Sequence, residues 1–307
     1  MPRIRFFLVL ASLIAGAALA TRGTTDPVVS LESLTELWSD TLRDTDQIGM
    51  KVTRVSDADE MRIGAELANL VGQFGPEDPA AQPYVSAVGQ IVAQHVSRRG
   101  IHYQFHVVNS SVINAFALPG GQIFVTSGML NFVESEAELA AILGHEISHV
   151  DLRHCIERYQ YEAKLNKAGM PDIGQIVEIA HRLATFSFAQ YQESDADAQG
   201  ERMSIESGYD PEAAAALFRR MRTHLGERSR TPATTPSSEI GQSVGDALSS
   251  FFRTHPPSEE RARDLDAIVG RQRPALKGKS FYVGRQNAAE RTPRSARDYP
   301  GEYRTIK

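Results

Sequence analysis

The chain has 307 residues, of which 41% are hydrophobic and 23% charged, with a formal net charge of −5. That is ample apolar material for the core of one or two domains. A mildly acidic chain with no basic stripe of interleaved aromatics excludes nucleic-acid binding as a class.

The N-terminus opens with a short positive region, Pro2-Arg3-Ile4-Arg5, and an apolar run from Phe6 to Ala20 follows. The run ends in Ala18-Leu19-Ala20, a small-x-small cleavage pattern. Together these predict a secretory signal peptide over 1–20, cut near Ala20. The competing reading is an anchor, but the run is shorter than the roughly 20 residues that a bilayer span needs. No cysteine follows the run, so a lipoprotein form is unsupported. Membrane association is therefore expected only through an uncleaved N-terminal segment.

Residues 21–55, with the lone Trp38, read as a linker and a short helix. A helix is predicted from Ser56 to Phe74, with Asp59 as a capping partner and Gly75-Pro76 as its stop. A second is predicted over 79–99, with Tyr84, Val85, Val88, Ile91 and Val92 on one side. Alternation over Tyr103 to Val108 predicts a strand. Asn114 to Gly121 holds the turn signal Pro119-Gly120-Gly121, and Gln122 to Thr126 reads as the next strand. Ser135-Glu136-Ala137-Glu138 is a capping box that starts a helix over 135–160. Leu139, Ile142, Leu143 and Val150 give this helix an apolar stripe, which predicts one buried side and one side facing a cleft.

That helix carries His145-Glu146-Ile147-Ser148-His149, an H-E-x-x-H motif. One turn separates the histidines, so both imidazoles leave one face about 6 Å apart along the axis. Two neutral imidazoles so placed can share a tetrahedral zinc ion. Glu146 can reach a metal-bound water and take its proton without ligating the metal, the arrangement for amide hydrolysis. The bland alternative is a surface helix that happens to carry two histidines.

Beyond it the pattern predicts helices over 172–189 and over Glu193 to Ser207. Asp210 as N-cap and Pro211 at the first helical position start another, over 212–224. Residues 226–245 read as a long flexible loop, 258–269 as a last helix, and the polar, basic segment from 271 as a tail poorly ordered in part. The single cysteine, Cys155, excludes an internal disulfide and reads as a small buried residue rather than a nucleophile.

A catalytic zinc needs three protein ligands and one open position. The extended H-E-x-x-H-x-x-G-x-x-H form fails here, because Leu152 and Cys155 stand where it needs glycine and histidine. His154 lies five residues past His149, about 140° around a continuous helix, and is expected to point away from the metal and to serve as a packing or hydrogen-bonding histidine. The other option is Glu193, one turn before Asp197. Glu193 could ligate while Asp197 accepts the second ring N–H of a ligating histidine. Taken alone, that acidic pair reads better as a solvated helix face, and only the companion H-E-x-x-H motif reverses that.

Five segments in order resemble the gluzincin metallopeptidases that include the HtpX-type proteases, the CAAX prenyl proteases and the periplasmic BepA and LoiP proteases. They are Asn114 to Gly121, His145 to His149 with Arg153-His154, Glu193-x-x-x-Asp197, Gly208-Tyr209-Asp210-Pro211, and Thr254-His255-Pro256-Pro257. The similarity covers roughly 56–270, the expected peptidase domain. It implies an α+β fold: a mainly helical, zincin-like protease with a small antiparallel sheet whose edge strand flanks the H-E-x-x-H helix.

The resemblance also implies one zinc at His145, His149 and Glu193, with Glu146 as base and Asp197 supporting. It implies that Gly120, Gly121, Gln122, Ile123 and Phe124 lie on the edge strand where extended substrate pairs. The implied activity is zinc-dependent cleavage of misfolded or unassembled envelope proteins. A latent chaperone or assembly factor using the same groove is the alternative. Gln190 stands where relatives often carry arginine, with Arg153, Arg261 or His255 as candidates to compensate. His255, beside the expected loop, is a candidate fourth ligand that could gate the site.

Overall fold

Ser56 starts the first helix, α1 (Asp57–Val71), by the expected cap: its hydroxyl accepts from the Asp59 amide at 3.1 Å. The computed structural model describes residues 55–71, 78–165, 188–228, 255 and 259–307, all within one compact unit spanning 54–307. The signal and linker segments, nearly all of the helix expected over 172–189 and most of the loop expected over 226–245 lie outside the described residues. Among the described residues no helix is long and apolar enough to cross a membrane.

The elements that follow are α2 (Gln82–Ala93), β1 (Gln104–Val108), β2 (Ala115–Leu118), β3 (Gln122–Thr126), α3 (Ser127–Phe132) and α4 (Glu136–Asp151). Then come α5 (His154–Leu165), α6 (Gln190–Glu206), α7 (Ala213–Arg228) and α8 (Glu259–Leu276). The chain closes with β4 (Ser280–Tyr282), α9 (Arg285–Glu290) and β5 (Tyr303–Thr305). The expected mainly helical architecture with a small sheet beside the H-E-x-x-H helix is present.

The sheet itself departs from expectation in two ways. Its order is β1-β3-β2, with β1 parallel to β3 and β2 antiparallel to it. It is therefore mixed, and β3 is its centre rather than its edge. Gln122, Ile123 and Phe124 are paired on both sides and have no backbone left for a substrate strand. The edge that lies against α4 is β2, a strand the turn signal had obscured. Asn114 O accepts from Thr126 N, so alternation turns the backbone of Ala115 and Ala117 away from β3.

Gly120 and Gly121 serve packing rather than substrate approach. Both have left-handed φ, 72° and 86°. A Cβ on Gly120 would meet Glu60 O at 2.5 Å, and one on Gly121 would meet His102 O at 2.7 Å. The bend they make lets α1 close over the sheet. Glu60, fully buried, locks it by accepting from Gly120 N at 3.2 Å and from Arg98 at 2.6 Å.

Helix α4 is the spine. Ser135 caps it, accepting from Glu138 N at 3.2 Å. The Glu138 carboxylate does not return to Ser135; it takes the Glu134 amide and Arg220 instead. Every residue of α4 is buried, on all sides rather than one, because α2, α6, α7 and the sheet surround it. The segment after 271 is also ordered, contrary to the expectation of a tail poorly ordered in part. Phe281, Tyr282 and Ile306 are buried, and the carbonyls of Gly284 and Val283 accept from the amides of Glu136 and Ala137. This tail supplies acceptors for helix-start amides that otherwise lack a partner.

Candidate metal centre

His145 and His149 leave α4 one turn apart, and their Nε2 atoms lie 3.1 Å from each other. Glu193 enters from the first turn of α6, with Oε2 at 3.5 Å from His145 Nε2 and Oε1 at 3.6 Å from His149 Nε2. The two helices approach this closely because glycine faces glycine. A Cβ on Gly144 would meet Gly200 O at 2.8 Å, and one on Gly200 would meet His145 N at 2.7 Å. Neither glycine was legible as important from spacing alone.

His255 completes the group. It is fully buried, with Nδ1 at 3.1 Å from His145 Nε2 and 3.0 Å from Glu193 Oε1. Its Nε2 lies 3.3 Å from Glu146 Oε1. Ligand atoms of His145, His149, Glu193 and His255 all fall within 4.8 Å of one another.

These residues fit a metal ion. Two ligands about 2.0–2.1 Å from one tetrahedral ion sit about 3.3–3.4 Å apart, close to the spacings seen here. Neither carboxylate oxygen of Glu146 has a hydrogen-bond partner, although the side chain is fully buried. A buried carboxylate is expensive to leave so, and water held by an ion in this cluster would relieve that cost. Burial raises the Glu146 carboxyl above its ordinary range, which suits a group that must take and return a proton.

The surrounding charges hold the side chains of this cluster in place. Asp197, one turn after Glu193, lies 2.9 Å from His145 Nδ1. Arg261 on α8 forks onto Asp197 at 2.7 and 2.8 Å and reaches Glu193 Oε2 at 2.7 Å. Burial opposes ionisation of Glu193, but His255 and Arg261 outweigh it and hold its carboxyl well below the usual range. Asp197 is likewise lowered, because Arg261 and His145 overcome its burial. Of the three compensating candidates, Arg261 touches both carboxylates and His255 touches Glu193, while Gln190 is exposed at the start of α6.

His154 corrects an expectation. The helix over 135–160 is not continuous: α4 ends at Asp151 and Arg153 adopts a left-handed φ of 70°. That conformation costs a non-glycine residue about 1–2 kcal/mol. The chain turns there, and His154 faces inward instead of away, with Nδ1 at 3.1 Å from His149 Nδ1. Burial lowers the His154 ring to about 4, so it is neutral at ordinary pH. Cys155 is buried with its thiol donating to Ala117 O at 3.6 Å, and burial pushes its pKa well above the ordinary value. It is a packing residue, as expected.

Residues 79–269 match the model of peptidase family M48. The chain belongs to that family. Its relatives include the mitochondrial metalloendopeptidase OMA1 of Arabidopsis thaliana, 30% identical over 54% of this chain and 31% of the relative. Another is the beta-barrel assembly-enhancing protease of Escherichia coli, 25% identical over 75% of this chain and 48% of the relative. The OMA1 protein of Schizosaccharomyces pombe is 28% identical over 61% of this chain and 54% of its own length. The chain thus spans about a third to a half of the curated relatives it matches. The M48 match contains His145, Glu146, His149, Glu193, Asp197, His255 and Arg261, which is the whole centre just described.

Proposed function

We propose that this M48 protein is a zinc-dependent endopeptidase of the bacterial cell envelope that cleaves misfolded or unassembled proteins. The observation that carries the reading is the convergence of His145, His149 and Glu193 beside the buried carboxylate of Glu146, which makes no hydrogen bond. Zinc suits two imidazoles and a carboxylate, and when bound it polarises a scissile carbonyl and acidifies water. Glu146 receives the proton of the attacking water and hands it to the departing amine. Asp197 orients His145 through Nδ1, and Arg261 keeps Asp197 and Glu193 ionised and aligned. An extended substrate would pair along β2, the edge beside α4, rather than β3, displacing the Cys155 thiol from Ala117 O. Main-chain pairing of that kind reads shape more than sequence, which suits unfolded clients.

The export pattern of Pro2 to Ala20 supports the envelope assignment, with the mature protein beginning near Thr21 and the peptidase domain over 56–270. A second reading, latency with a chaperone-like or assembly role, has its own support. His255 occupies the position a fourth ligand takes and also contacts Glu146, so it stands where water and base must work. Cleavage of unfolded casein by the wild-type protein and by Glu146→Gln tests the first reading. The variant should retain zinc and fold but lose proteolysis. Wild-type cleavage rates in Glu146→Gln would remove Glu146 as the base.

A further inference from the structure

We infer that His154 is a positioning residue for the metal centre: it accepts the Nδ1 proton of His149 and thereby fixes the ring that must present Nε2 to the metal. The inference rests on the metal-site reading above. Three observations carry it. First, His149 Nε2 faces His145 Nε2, Glu193 and the centre of the cluster, which leaves Nδ1 as the only other polar atom of the ring. A neutral imidazole that ligates through Nε2 carries its proton on Nδ1 and needs an acceptor there. His154 Nδ1 lies 3.1 Å away.

Second, both rings are buried, 0% and 5% exposed, so water does not readily substitute for either partner. Phe188 stacks on the His149 face at 3.8 Å and 15°, which blocks rotation of the ring. With its face and its Nδ1 edge both held, His149 has one orientation.

Third, the backbone is bent to achieve the contact. A continuous helix would carry His154 to the far side of α4. The left-handed turn at Arg153, a conformation unfavourable for a side chain larger than glycine, brings it back. Arg153 is itself anchored, donating to Val55 O at 2.7 Å and to Asp57 at 3.5 Å at the start of α1. A chain of contacts therefore runs from α1 through Arg153 and His154 to His149. His145 is served from α6 by Asp197 and His149 from α5 by His154: one ring leans on a carboxylate, the other on a neutral imidazole.

The proton assignment follows: His149 carries its hydrogen on Nδ1, His154 on Nε2. Zn2+ affinity, measured by competition with a chromophoric chelator at pH 7, tests the role in His154→Leu and His154→Asn, with thermal unfolding of each to report the fold. His154→Leu keeps volume but offers no acceptor, and should bind Zn2+ about 10–100-fold more weakly. His154→Asn places an oxygen near the position of Nδ1 and should recover most of that loss. Folded His154→Leu within about twofold of wild type, or Asn and Leu equally weak, overturns the inference. Imidazole nitrogen NMR of the zinc-loaded wild-type protein decides independently if His154→Leu does not fold. The expected signature is a protonated Nδ1 on His149 and an unprotonated Nδ1 on His154; the reverse assignment overturns it. A wild-type protein that binds no Zn2+ sinks the metal reading itself, a different failure from intact binding with an indifferent His154.

Discussion

Replacing Gly200 with alanine drives a methyl group into the backbone of α4. The added Cβ would stand 2.7 Å from His145 N, 2.8 Å from Gly144 C and 3.0 Å from His145 Cα. Ordinary contact begins near 3.4 Å, so the helices must part by about 0.7 Å at the crossing. All three obstacles are main chain in the middle of a buried helix, and none can swing aside. Intrinsic helix propensity favours alanine by about 1 kcal/mol, but overpacking of a tight core costs about 1–3 kcal/mol. The steric effect should win on stability.

The larger consequence is at the metal. Glu193 lies two turns before Gly200 on the same rigid helix, while His145 and His149 stay on α4. Metal–ligand distances tolerate only about 0.2 Å, so even part of that displacement exceeds the allowance. Gly200→Ala should weaken Zn2+ binding about tenfold or more, corresponding to about 1.4 kcal/mol of ligand strain, and should lower Tm. The assays are chelator competition and thermal unfolding. Gly270→Ala is the control: it lies in α8 with nothing within 4 Å of its added Cβ, and should be neutral or stabilising. Gly200→Ala with wild-type Zn2+ affinity and an unchanged or raised Tm would refute the argument that this crossing sets the ligand distances.

Glu193→Ala should lose most Zn2+, whereas Asp195→Ala, exposed on the opposite side of α6, should retain it; equal retention moves the third ligand elsewhere. His255→Ala should raise basal cleavage of casein if His255 restrains the site, and lower cleavage would assign it to substrate contact instead. Glu201 is buried with one carboxyl oxygen unpartnered, and burial beside Asp210 and Asp197 raises its pKa to about 8. The folded state therefore holds a proton that the unfolded state releases near pH 4.5. Its contribution to stability is present below that pH and is lost as pH rises towards about 8. Glu201→Gln should gain on wild type across this window, by at most about 1.4 kcal/mol per pH unit. Parallel stability profiles from pH 5 to 8 would show that Glu201 ionises normally.

The chemistry of the centre was written locally. His145, Glu146 and His149 fall within one helical turn, so helical geometry alone puts the two rings on one face. The pair Glu193 and Asp197 obeys the same rule, and its partnership with the histidines came from resemblance rather than spacing. Caps at Ser56 and Ser135 were also local, since each is a hydroxyl reaching an amide three residues on.

What local pattern cannot carry is which surfaces meet. Sheet order depends on pairing partners distant in sequence, so nothing in Gln122 to Thr126 distinguishes a central strand from an edge. Gly120 and Gly121 signalled a turn, but only the position of α1 shows that their missing side chains make room for a helix. The polar composition after 271 concealed Phe281, Tyr282 and Ile306, three buried side chains whose partners are far away in the chain. His154 is the sharpest case. A continuous helix would point it away, and one left-handed residue, held by Val55 and Asp57, turns it onto the Nδ1 edge of His149. The two histidines and Glu146 were legible because their spacing is short-range; tertiary structure decided what orients them, because those contacts close only when elements distant in sequence meet beside α4.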